Sequence, residues 1–90
     1  MNQYTDQLLK DSDWILRVID YENARQYNKW GIQTHSAFEW LTYITEELGE
    51  LANAISEYEY RDGNKRAVAL EAIQVATLAL KIAEMYEKGE

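Results

Sequence analysis

The chain has 90 residues, 47% of them hydrophobic, with four Gly, no Pro and no Cys. That composition excludes a disordered polypeptide, disulfides and thiolate metal sites, and it favours one small all-α domain spanning residues 1–90 over a many-turned β protein. A formal net charge of −7 argues against nucleic-acid polymers and anionic membranes as partners. No stretch reaches the ~20 apolar residues of a membrane span. No basic segment followed by an apolar core is seen at the N-terminus, so a cytoplasmic location is expected.

Residues 2–28 read as helical, with Leu8, Leu9, Trp14, Ile15, Val18 and Tyr21 as the apolar stripe. Asp11, Ser12 and Asp13 are weak helix formers and good caps. The segment is therefore either one helix or a short one capped anew near Ser12. Residues 29–34 contain Gly31 and read as a loop.

Ser36 opens the second predicted helix. Ser36 with Glu39 fits a capping box, in which hydroxyl and carboxylate each take a free backbone amide. Apolar residues at Leu41, Ile44, Leu48, Leu51 and Ile55 recur at helical spacing, and the helix should run to about Tyr60. Arg61-Asp62-Gly63-Asn64 stops it, with Gly63 able to adopt positive φ.

Asn64 caps a third predicted helix from about Lys65 to Lys88, before Gly89. At 1.5 Å per residue it spans ~35 Å. The short turn makes it antiparallel to the second helix, giving a helical hairpin plus an N-terminal helix. Ala67, Ala69, Ala72, Ala76, Ala79 and Ala83 make it slim, which suits a bundle core or a subunit interface. A hairpin and one further helix leave an apolar face uncovered. A homodimer or homotetramer that completes a four-helix bundle is expected.

Glu47 and Glu50 are three residues apart, and Glu46 and Glu50 four apart, so either pair projects from one helix face with Cβ atoms ~5–6 Å apart. Like charges so placed must be offset by cations, solvent or a metal. Glu71 and Gln74 repeat the spacing on the next helix. In an antiparallel hairpin the four side chains can converge, and oxygen-only clusters suit Mg²⁺, Mn²⁺ or Ca²⁺. The same spacing also fits plain solvated helix faces.

Glu47-x-x-Glu50 followed by Glu71-x-x-Gln74 resembles the paired motif of the MazG-like family, the all-α nucleoside triphosphate pyrophosphohydrolases. The run Glu46-Glu47-Leu48-Gly49-Glu50-Leu51-Ala52 is similar to the family's first motif. The lead-in from Trp30 through His35, Ser36 and Trp40-Leu41 is similar to the segment before it. The match covers roughly residues 30–86. Gln74 stands where the family usually has Asp, as in members of phage or mobile-element type. An amide oxygen can ligate Mg²⁺ but adds no charge. The basic residues that follow the third helix in longer members have no counterpart here.

The resemblance implies hydrolysis of a nucleoside triphosphate to monophosphate and pyrophosphate with Mg²⁺ or Mn²⁺. It makes Glu47, Glu50, Glu71 and Gln74 the metal ligands and the three Glu catalytic. Glu46 is an outer partner or base, or else a plain surface residue. For the substrate it points to His35, near the base-binding side, and otherwise a residue held by neighbouring backbone. Trp30 is the better stacking candidate, because Trp40 more often packs in a core. Arg25, Lys29, Lys65, Arg66 and Lys81 are candidate phosphate contacts or ordinary solubilising charges. With one His and no Cys, nucleophilic triads are excluded. The alternative function is a non-catalytic oligomeric helical module that binds a nucleotide or a protein.

Overall fold

The computed structural model describes residues 1–88. They form four helices, α1 (Gln3–Lys10), α2 (Ser12–Trp30), α3 (Ala37–Tyr60) and α4 (Lys65–Glu87), and no strand. The chain is all-α. The stop expected at Gly89 lies outside the described residues.

The N-terminal helical segment is two helices. Asn2 opens α1 by accepting the Thr5 amide at 2.9 Å. The Asp11 amide closes α1 onto the Leu8 carbonyl at 3.1 Å. The Ser12 hydroxyl turns back to the Leu9 carbonyl at 2.9 Å, so the break falls at Asp11 and Ser12 is the first residue of α2. The expected loop over residues 29–34 is corrected at its start. Neither Lys29 nor Trp30 opposes a helix, and α2 runs through both. It ends only at Gly31, where φ is 72° and the amide reaches the Tyr27 carbonyl at 2.7 Å.

The capping box forms as its residues require. The Glu39 amide donates to Ser36 Oγ at 3.1 Å, and the Ser36 amide donates to Glu39 Oε1 at 2.8 Å. At the far end of α3, the Arg61 and Gly63 amides both donate to the Glu57 carbonyl, at 2.9 and 2.8 Å. Here the role expected of Gly63 is corrected. The left-handed residue is Asp62, with φ 57°, which a short polar side chain tolerates. Gly63 is needed for space instead: a Cβ there would lie 2.7 Å from the Glu57 carbonyl carbon. Asn64 then caps α4 by accepting the Arg66 amide at 2.8 Å.

The four-residue turn folds α3 and α4 into a hairpin with the largest helix–helix interface; α2 packs on α4 but not on α3, and α1 packs on α2 alone. Helix α4 is therefore the centre of the fold. Trp40, Ile44 and Leu78 form the core, with Val75, Ile82 and Met85 against it. Ile73 is buried as well. Buried Thr77 satisfies its hydroxyl on the Ile73 carbonyl at 2.8 Å. Leu41, Leu48, Ile55, Leu70 and Leu80 stay exposed. Among the described residues, no helix is long and apolar enough to cross a membrane.

Candidate functional site

Helical spacing and the hairpin together bring Glu47 of α3 against Glu71 of α4. Burial is the main force on Glu47, followed by the neighbouring Glu71, then Glu50 and Glu22, and the carboxyl is pushed up to about 7. Glu47 Oε2 and Glu71 Oε2 are both buried without a hydrogen-bond partner. Two acidic groups held so close want either a shared proton or a cation.

Glu22 is the member that the sequence reading missed. It lies on α2, is 4% exposed, and is the one buried charged residue among those described. Arg25 grips it with both ends of the guanidinium, Nη2 to Oε1 at 2.7 Å and Nε to Oε2 at 3.2 Å. Gln26 Nε2 donates to Oε1 at 3.0 Å. Gln74 Nε2 donates from α4 to Oε2 at 3.2 Å. Burial alone would raise this carboxyl. The donors outweigh it and hold Glu22 below the usual carboxylate range. The signal was present in the sequence. Ile15, Ile19, Glu22 and Gln26 share one helix face, and a Glu on the apolar side of a helix needs partners.

Glu50 helps to raise Glu47 and so lies near it, yet its own side chain is exposed. Glu46 is exposed. What the fold gathers is a pair rather than a cage. Among the described residues, no group of three or more His, Cys, Asp or Glu is close enough to hold a metal. Mg²⁺ asks for less, since it binds through one or two carboxylates and keeps several waters. The two orphaned carboxylate oxygens of Glu47 and Glu71 fit that requirement.

A cavity of about 350 Å³ opens beside this cluster, lined by Asn23, Gln26, Tyr27, Ile32, Gln33, Trp40 and Lys81, with Gly31. Gln26 belongs to both, since its amide donates to Glu22. A shallower groove of about 270 Å³ continues past Trp40 and Lys81 to Glu84, Met85 and Lys88. Trp40 is at once core and cavity wall.

The remaining sequence candidates scatter. Trp30 is exposed and carries the Lys29 ammonium 4.5 Å above its ring; neither residue lines the cavity. His35 packs edge-on against Trp40 and Tyr43, with ring centroids 4.7 and 5.2 Å away. Its Nδ1 is 3.8 Å from Glu39 Oε2, and its buried Nε2 has no partner. Arg25 is spent on Glu22, and Arg66 lies 4.7 Å over the Trp14 ring. Lys65 is exposed at the start of α4. Lys81 alone of the candidate cations lines the cavity. Compared with family models, with curated proteins and with solved structures, the chain matches none.

Proposed function

We propose that this protein is a divalent-cation-dependent nucleotide pyrophosphohydrolase of the MazG-like kind, releasing pyrophosphate from a nucleoside triphosphate. One observation carries the reading: the buried, unpartnered oxygens of Glu47 and Glu71 across the hairpin. An unmet pair of buried acceptors is costly unless a cation or a proton meets it. A bound Mg²⁺ or Mn²⁺ would neutralise phosphate oxygens and supply an activated water. Glu47 and Glu71 hold the ion, the Gln74 oxygen completes the set, and Glu50 faces solvent where phosphates arrive. Glu46 is left as a surface residue.

The adjoining cavity suits the nucleoside. Asn23, Gln26 and Gln33 offer neutral amides to the edge of a base, and Tyr27 and Trp40 add aromatic lining. Lys81 is the cation placed to meet a phosphate. The exposed Leu41, Leu48 and Ile55, spaced seven apart on α3, support a subunit contact that completes a four-helix bundle in a homodimer or homotetramer.

The test is pyrophosphate release over canonical and modified nucleoside triphosphates with Mg²⁺ or Mn²⁺, beside light scattering at micromolar protein. Release that disappears with chelator supports the proposal. No release on any nucleotide, from a protein that still self-associates, sinks it and leaves a non-catalytic oligomeric helical module.

A further inference from the structure

We infer that Glu22 is a positioning residue that fixes the Gln74 side-chain amide with its oxygen facing away from α2, toward the cation held by Glu47 and Glu71. The inference rests on the cation-site reading given under Proposed function. The Gln74–Glu22 hydrogen bond joins residues 52 apart. Every other side-chain hydrogen bond among the described residues links positions no more than four apart. It is therefore the single side-chain hydrogen bond between α2 and α4 among the described residues.

The chemistry of the tie leaves one orientation. An ionised carboxylate only accepts, so only Nε2 of Gln74 can face it; the reversed amide would set oxygen against oxygen. Glu22 cannot turn to accommodate the reverse, because Arg25 holds both its oxygens. With two donors on each oxygen, Glu22 has no lone pair left for an ion and acts only through Gln74. One N–H of the amide is given to Glu22, and Oε1 accepts no hydrogen bond among the described residues. The neutral residue at 74 then has a cause. An Asp or Glu there would press a second negative charge on a buried, fixed one. Gln at this position is the side chain that can both donate to Glu22 and offer an oxygen.

A double-mutant cycle on Mn²⁺ affinity, read by electron paramagnetic resonance without nucleotide, tests this. The variants are Glu22→Gln, Gln74→Met and the double variant, each shown folded by its melting curve. Glu22→Gln should weaken Mn²⁺ by roughly 10- to 100-fold, as loss of an outer partner does. In the Gln74→Met background, the same change should have no further effect, because the oxygen being aimed is gone. In the parent, Mg²⁺ should also shift the Gln74 side-chain amide resonance in NMR while one of its N–H groups stays bonded to Glu22. This second measurement stands even where a variant does not fold. Parent binding of Mn²⁺ with equal losses in both backgrounds, or an amide resonance unmoved by Mg²⁺, overturns the inference and leaves the hydrolase reading intact. A parent that binds no Mn²⁺ overturns both.

Discussion

Glu47 and Glu71 meet across the α3–α4 interface with one buried, unpaired oxygen each. Burial first, and Glu71 second, push the Glu47 carboxyl from 4.5 up to about 7. The folded protein therefore binds more protons than the unfolded chain between those values, and the associated stability is full below 4.5 and lost as pH rises through about 7. Glu22 has the opposite sign. Held below 4.5, it contributes stability above that value and loses it only in more acid solution, so the two windows do not overlap. With chelator present, the melting temperature should fall by several degrees as pH rises from about 5 to about 8. Millimolar Mg²⁺ should flatten or reverse that slope, because the ion replaces the proton. A slope unaffected by Mg²⁺ counts against a cation site.

Glu71→Gln relieves Glu47 of its nearest like charge. The metal-free protein should melt higher above neutral pH, and its Mg²⁺-dependent rise should vanish. Pyrophosphate release should drop by more than roughly 100-fold, beyond the cost of losing an outer partner. Scanning calorimetry and the release assay on one preparation check both signs together.

Lys81→Ala removes the cavity's one cation. A contact present equally in the bound substrate and in the transition state should raise KM and leave kcat unchanged. Steady-state kinetics at two salt concentrations measures this. A lowered kcat at unchanged KM would move Lys81 from substrate binding to the chemistry.

Gly63→Ala places a Cβ against the Glu57 backbone, with no flexible side chain able to yield. Overpacking of this kind costs about 1–3 kcal/mol. Ser36→Ala removes half of the capping box and should cost ~1 kcal/mol. Urea denaturation of the two variants separates a steric loss from a capping loss, because only the second is softened by Asn or Asp at the same position.

The helices were legible where local chemistry sets them. Ser36 and Glu39 announce the start of α3, and Asn64 caps α4. The order of the hairpin follows from a turn too short for any other course. Across helices, the meeting of Glu47 with Glu71 was legible from spacing and the hairpin, whereas the tie from Glu22 to Gln74 was missed. Residues 2–28 read as one helix or as a short one capped anew near Ser12, and the break at Asp11 is the second of these. Trp14, Val18 and Tyr21 share one face of unbroken α2, yet Tyr21 is 70% exposed and its neighbour Glu22 is buried. One residue of phase separates a surface tyrosine from an acidic group on the inner face of α2. Gly63 shows the same limit at a turn: the residue type was right, but its cause was a close approach that only three dimensions reveal.

The position of α4 between α2 and α3 also bears on how the chain reaches this structure. The α3–α4 hairpin closes over a four-residue turn and can form early from local contacts. Docking of α2 must instead close a loop that contains the whole of α3, an entropic cost met only once α4 is in place. Arg25 and Gln26 reach Glu22 within their own helix, so its charge is partly matched before docking. The Gln74–Glu22 bond is then expected to form in the final step of folding rather than in its nucleus.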